Sequence, residues 1–253
     1  MAEKLKRPGG ELATRPLHFF WIVDCSGSMY GEKIGTVNHA IQSVIPEMAD
    51  EAANNPNAQL LIRTLRFSDT ASWVTEAPVP VEDFTWDDLD AFGVTEMGAA
   101  FDLLAKELTI PPMSDRALPP VLVLLSDGQP TDDYRGPLDR LLHLPWGKKA
   151  VRIAISIGSD VDDDVLTEFT GDRDLVLKAN NATMLTKMIK WASTAASMVS
   201  APASRVVENN THNAIKDFFD ETNTSVARTS NGQLVLDMNN IPNPNDVSES
   251  DVW

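Results

Sequence analysis

A fully apolar segment that ends in an aspartate and two serines constrains this chain most. Residues 17–23 are apolar or aromatic except for His18, a pattern typical of a strand buried on both faces of a sheet. Asp24, Ser26 and Ser28 follow at alternate positions. Ligands of open α/β sheets bind at the carboxyl ends of strands, and one carboxylate with two hydroxyls suits a hard divalent cation such as Mg²⁺. The alternative is a polar turn in which Asp24 only caps backbone amides.

Two later segments place further oxygen donors in comparable positions. Thr95 precedes a helical pattern over 96–108, and Asp127 follows an apolar run over 121–125 that is predicted to be another strand. Together with the first turn, these residues resemble the metal-ion-dependent adhesion site of the von Willebrand factor A-domain family. The resemblance covers residues 15–199, and the family's five positions are filled in its order by Asp24, Ser26, Ser28, Thr95 and Asp127.

The resemblance implies a cation-dependent protein-interaction module rather than an enzyme. The Ser26 and Ser28 hydroxyls would bind the cation directly, and Asp24, Thr95 and Asp127 would bind it directly or through water. We expect Mg²⁺, with Mn²⁺ or Ca²⁺ as alternatives. An open coordination position would then accept an Asp or Glu side chain of a protein partner.

Strands and helices alternate along residues 15–199, which predicts right-handed crossovers. We expect an α/β fold: a Rossmann-like, doubly wound, mostly parallel six-stranded sheet with one antiparallel edge strand and helices on both faces. The predicted strands cover 17–23, 60–67, 70–76, 121–126, 150–157 and 175–177. The predicted helices include 32–53, with a kink or a break at Pro46, a short helix over 84–92, and a final helix over 182–199.

Three regions are predicted along the chain: a flexible N-terminal arm over 1–14, the metal-binding domain over 15–199, and an acidic, mostly disordered tail over 200–253. Two apolar islands of the tail, at 215–219 and 234–236, either cover the chain's own domain or dock on a partner. The last residues place acidic side chains around serines, next to Trp253. The tail's hydroxyls are candidate phosphorylation sites.

The net charge of -16 argues against binding to nucleic acids and to anionic membranes. A single cysteine, Cys25, excludes an internal disulfide and favours a reducing compartment, where its side chain would pack in the core. No secretory signal or membrane span is recognised in the sequence. We therefore expect a cytoplasmic protein.

The remaining chemistry-bearing residues do not predict catalysis. The four histidines show no ligand or dyad spacing, and no general base is evident beside the metal turn. A metal-dependent phosphohydrolase is the less favoured alternative. The acidic run 160–164 lacks the glycine and the distal glutamate of a calcium-binding EF-hand loop, and is better interpreted as the start of a helix.

Within the A-domain family, the chain resembles the bacterial tellurium-resistance TerY-like group. The shared segments are Asp-Cys-Ser-Gly-Ser-Met at 24–29, Asn-Pro-Asn-Ala at 55–58, Arg-Phe-Ser-Asp at 66–69 and Leu-Ser-Asp-Gly-Gln-Pro-Thr-Asp at 125–132. This resemblance implies a stress-response scaffold that works with a Ser/Thr protein kinase and a PP2C-type phosphatase. A subunit of an AAA+ ATPase or chelatase-type assembly is the alternative.

Overall fold

Strands and helices alternate along the part of the chain that the computed structural model describes, residues 14–55, 58–159, 161–189, 226–228 and 234–236. The strands are β1 (Arg15–Asp24), β2 (Ala58–Phe67), β3 (Ala71–Trp73), β4 (Val79–Pro80), β5 (Val121–Ser126), β6 (Val151–Ile157), β7 (Val176–Ala179), β8 (Val226–Arg228) and β9 (Leu234–Leu236). The helices are α1 (Glu32–Ala53), α2 (Met97–Glu107), α3 (Arg135–His143), α4 (Pro145–Lys149), α5 (Asp163–Thr170) and α6, described over 182–189.

The first seven strands form one sheet in which β1 is central. The order is β3-β2-β1-β5-β6-β7, and β4 also pairs with β2. The five strands from β2 to β7 along this path are parallel, whereas β3 and β4 are antiparallel to β2. The predicted doubly wound, mostly parallel sheet is therefore confirmed. Because Val23 of β1 is level with Leu125 of β5, Asp24 and Ser126 end their strands at the same edge.

Both faces of β1 are buried, which explains its continuous apolar sequence. Phe19, Trp21 and Val23 pack in one core with α1 and α6. Phe20 and Ile22 point the other way and pack in a second core with α2, α3 and α5. The strand stays buried through Asp24, and the chain reaches solvent in the turn that follows, at Gly27 and Ser28.

The prediction of a short helix over 84–92 is wrong. A 3₁₀ turn at Val81–Asp83 is followed by irregular chain. Here the backbone is satisfied by a side chain of α1: the Asn38 amide donates to the Leu89 carbonyl at 2.9 Å and accepts from the Leu89 N–H at 2.9 Å. The Trp86 indole also donates to Asn38, at 3.2 Å. These bonds replace the local bonds that a helix would make.

Three other details differ from the sequence prediction. The helix predicted over 32–53 does not break at Pro46, which lies inside the continuous α1. The third strand spans only Ala71–Trp73. The two-residue β4 was not predicted, and Pro80 is tolerated there because an edge strand can lack one N–H donor.

The acidic run before α5 caps that helix, as predicted. The Asp162 carboxylate accepts from the backbone N–H groups of Asp164 and Val165 at 3.2 and 3.4 Å. These bonds satisfy donors that the first turn of a helix leaves free.

Within the described residues, β8 and β9 pair as an antiparallel hairpin, and β9 coincides with the apolar island at 234–236. The predicted arm over 1–14, the end of the final helix and most of the predicted tail over 200–253 lie outside these residues. No described helix is long and apolar enough to cross a membrane.

His18 makes the stability of the fold pH-dependent. Its ring is 7% exposed and stacks on Phe20 at 6.0 Å. Burial, with a smaller contribution from the Arg63 charge, lowers the pKa of His18 to about 4. The unfolded chain therefore takes up a proton near pH 6.5 that the folded chain refuses, so stability falls as the pH drops from about 6.5 to about 4.

We expect the His18→Leu variant to lose less unfolding free energy than the wild type over that interval. A pKa difference of this size corresponds to at most about 3 kcal/mol. Urea denaturation of both chains at pH 7 and pH 4.5 measures the difference. Parallel pH profiles for the two chains would contradict the assignment.

Candidate metal centre

Asp24 is a fully buried carboxylate at the end of the central strand. Its Oδ1 accepts the Ser26 N–H at 2.9 Å, and its Oδ2 accepts the Ser126 hydroxyl at 2.6 Å. Burial, with a smaller contribution from the nearby Asp127 charge, raises the pKa of Asp24 to about 6 despite these hydrogen bonds. The negative charge is therefore costly here, and a bound cation would remove that cost.

The turn after Asp24 presents two hydroxyls side by side. The Oγ atoms of Ser26 and Ser28 are 3.0 Å apart, with Ser26 buried and Ser28 exposed. Met29 is fully buried and anchors the short 3₁₀ turn Gly27–Met29 in the core. Cys25 also packs in the core, as predicted, and burial raises the pKa of its thiol to about 12. Because this side chain lies in the core, the turn offers oxygen atoms as donors.

The loop before Thr95 is hydrogen bonded to this first turn. The Phe92 N–H donates to the Cys25 carbonyl at 2.7 Å, and the Gly27 N–H donates to the Gly93 carbonyl at 2.9 Å. Gly93 has a φ of 79°, and a Cβ atom there would collide with the Asp69 carboxylate. Glycine therefore permits the close approach that brings Thr95 to the site.

Two further segments fix the Thr95 loop from outside. Asp69 accepts the Val94 N–H at 2.8 Å. The Thr131 N–H donates to the Thr95 carbonyl at 2.9 Å, while the Thr131 hydroxyl accepts the Thr95 N–H at 3.2 Å. The next residue, Asp132, accepts from the Gly98 and Ala99 N–H groups at 3.0 and 3.1 Å and so caps α2. The chain after β5 thus positions Thr95.

Asp127 supplies a direct observation in favour of a cation. The residue is 2% exposed, and its buried Oδ1 has no hydrogen-bond partner among the described residues. Native proteins rarely leave a buried polar atom unsatisfied, because the loss costs about 1–3 kcal/mol. A metal ion or a bound water molecule would satisfy this carboxylate oxygen. The donor set therefore fits a hard divalent cation.

The structure brings the five predicted site residues to one edge of the sheet. Asp24, Ser26 and Ser28 share the first turn, Asp127 follows the Ser126 that bonds Asp24, and the Thr95 loop is bonded to the first turn. Their role as metal ligands stays a prediction. The described residues contain no cluster of three or more His, Cys, Asp or Glu side chains arranged for a metal, so a cation here would depend on the hydroxyls.

Ser126 is a site residue that the sequence analysis did not assign. Its hydroxyl donates to Asp24 and accepts the Gly128 N–H at 2.9 Å. The signal in the sequence was a hydroxyl residue immediately before Asp127, at the end of a strand predicted to be buried. Its contact with Asp24, a residue 102 positions away, becomes evident only when the two strands are paired.

Comparison with known proteins identifies a family for the chain. The family model for the von Willebrand factor type A domain matches residues 20–191. No curated protein sequence matches the chain at a significant level.

The chain also resembles solved structures. The pilus adhesin SpaC from Lactobacillus rhamnosus GG, in its open conformation, has 12% identity and a TM-score of 0.59, with 74% of this chain and 30% of SpaC covered. Proximal thread matrix protein 1 from the mussel byssus, with a zinc-occupied metal-ion-dependent adhesion site, has 15% identity and a TM-score of 0.53, with 72% of this chain and 48% of the mussel protein covered. The ArnB paralog VWA2 from Sulfolobus acidocaldarius has 18% identity and a TM-score of 0.52, with 69% of this chain and 44% of VWA2 covered.

The chain thus spans less than half the length of each of these proteins, and at such identities the likeness shows the fold alone. The family model covers well over half of the chain. The protein belongs to the von Willebrand factor type A domain family.

Proposed function

We propose that the chain is a metal-dependent protein-interaction module whose bound cation accepts a carboxylate from a partner. Domains of this family generally mediate protein–protein interactions. The observation that carries the metal-dependent form is the unpartnered, buried Oδ1 of Asp127 beside the Asp24 carboxylate. Two carboxylates only balance the charge of a divalent ion, so the ion keeps its attraction for an outside anion.

The proposed ligands divide into those that bind the ion directly and those that bind it directly or through water. The hydroxyls of Ser26 and Ser28 bind the ion directly, and Asp24, Thr95 and Asp127 bind it directly or through water. Mg²⁺ suits this all-oxygen set and keeps bound waters, one of which a partner's carboxylate replaces. Mn²⁺ and Ca²⁺ are the alternatives, and the mussel protein's site holds zinc. The surrounding loops exclude water from the bond between the cation and the partner's carboxylate, and this bond fixes the register of the complex.

We propose binding without catalysis. Of the histidines in the described residues, His18 lies in β1, His39 in α1 and His143 in α3, and none belongs to the loops of the candidate site. A general base that could activate water is therefore not supplied by histidine in this part of the chain.

We further propose a cytoplasmic adaptor of the bacterial tellurium-resistance type, acting with a Ser/Thr kinase and a PP2C-type phosphatase. The Arg-Phe-Ser-Asp segment at 66–69, one of the shared motifs, supports the Thr95 loop. The Ser68 carbonyl accepts the Glu96 N–H at 2.9 Å, and Asp69 binds Val94. The likeness to the TerY-like group therefore includes residues that shape the site.

Affinity capture of a co-expressed kinase and phosphatase from such a system tests this role. We expect the wild-type chain to retain them in Mg²⁺ and to lose them in EDTA. The Asp127→Asn chain should lose them in both conditions. Equal capture by both chains would contradict metal-dependent recognition.

Removal of the Asp127 charge should weaken Mg²⁺ binding. In Asp127→Asn the side chain keeps its size but loses its negative charge, and we expect the affinity to fall at least about 10-fold. Isothermal titration calorimetry at pH 7 measures this change. Asp139→Asn, on the exposed surface of α3 with a side chain 74% exposed, is the matched control and should bind like the wild type. An unchanged affinity in Asp127→Asn would refute the ligand assignment.

The Ser126 hydroxyl should increase the Mg²⁺ affinity by orienting the Asp24 carboxylate. We expect Ser126→Ala to lower the Mg²⁺ affinity about 10-fold, because the Asp24 carboxylate loses the bond that orients it. Ser156→Ala is the control: Ser156 is level with Ser126 on β6, but its hydroxyl donates to Asp163 instead. Calorimetry with circular dichroism separates metal loss from misfolding. Equal affinities in the two folded variants would show that Ser126 does not orient the site.

A further inference from the structure

Three exposed apolar side chains belong to the loops of the candidate metal centre. Four large apolar side chains are strongly exposed among the described residues: Tyr30 at 78%, Phe92 at 48%, Val94 at 48% and Ile110 at 54%. All but Ile110 belong to the two loops that carry Ser28 and Thr95. We name Tyr30, Phe92 and Val94 the apolar rim. Exposed apolar residues clustered around a polar site mark an interaction surface.

The backbone holds the apolar rim in place. Tyr30 ends the first turn, where its N–H donates to the Gly27 carbonyl at 3.2 Å. Phe92 is bonded to the same turn through Cys25. The Arg66 guanidinium lies 5.9 Å from the centre of the Phe92 ring and adds a positive charge. The surface therefore suits an occupant that has a carboxylate for the cation and an aromatic ring for Phe92.

We propose that residues 249–253 of the same chain dock on this surface, with Asp251 directed at the cation and Trp253 on the apolar rim. The proposal rests on the proposed function, since it requires the cation. Glu249, Asp251 and Trp253 alternate in the sequence. In an extended segment they point to one side, with neighbours about 7 Å apart, so a carboxylate and an indole face the site together.

Charge and tethering favour this occupant over a separate acidic molecule. The chain carries a net charge of -16, which repels an acidic partner in solution. Docking of a segment of the same chain is an intramolecular event, so its occupancy does not depend on the concentration of the chain. About 60 residues separate position 189 from Asp251, and the roughly 50 of them outside the β8–β9 hairpin span up to about 170 Å. A domain of this size is only about 40 Å across.

The consequence is competition at the metal centre. A partner that brings its own carboxylate must displace residues 249–253, and the cation and these residues support each other's binding. Partner affinity would therefore rise when Asp251 is neutralised, whereas Mg²⁺ affinity in the isolated chain would fall.

Fluorine NMR of the full chain labelled with 5-fluorotryptophan tests the docking. The chain has six tryptophans, and Trp253→Phe identifies the resonance of Trp253. We expect saturating Mg²⁺ to shift or broaden that resonance. Asp251→Asn should abolish the response and lower the Mg²⁺ affinity by about 5-fold or more in calorimetry. Phe92→Ser should weaken the response without removing a proposed metal ligand.

Asp220→Asn is the matched control, because it removes one carboxylate from another acidic and aromatic segment, 217–221, and should leave the response intact. If Mg²⁺ binds while Trp253 does not respond, the docking is wrong and the proposed function stands. If Mg²⁺ does not bind the wild type, both are wrong. A response that vanishes on dilution of the chain would place the segment on a second copy and overturn docking within one chain. Loss of the response in Asp220→Asn would show that the response depends on residues 217–221, and would overturn the docking of residues 249–253.

Discussion

The hydrogen bond between Ser126 and Asp24 joins the two central strands at the point where the site is built. A fully buried carboxylate costs several kcal/mol unless it is paired or hydrogen bonded. Asp24 is satisfied by one donor from its own turn and one from the end of β5. The geometry of the candidate centre therefore follows from the pairing of β1 with β5, and the two turns cannot move independently.

The Thr95 loop depends on a different constraint. No strand carries it, so its position is set by main-chain bonds to the first turn, by Asp69 and by Thr131. Gly93 makes this packing sterically acceptable. The centre thus combines a rigid half built on strand ends with a half held by loop contacts. We infer that the second half adjusts more readily to an occupant.

Much of this arrangement could be predicted from local patterns. The continuous apolar runs of β1 and β5 predicted buried strands that each lead to an aspartate, and the resemblance to the A-domain family placed Asp24 and Asp127 in one site; the pairing of β1 with β5 brings their ends to one edge. The irregular chain around Leu89 could not be predicted, because its partner Asn38 is 51 residues away. The role of Ser126 was hidden for the same reason. Contacts between distant residues decide both features, and a local pattern does not contain them.

The short outer strands of the sheet have a consequence for how this protein meets other molecules. β3 has three residues and β7 has four, so the sheet offers little free backbone at either side. A strand from another molecule finds few backbone groups to pair with at these edges, which disfavours aggregation by edge pairing. Association is thereby directed away from the flanks and toward the end of the sheet where the loops meet.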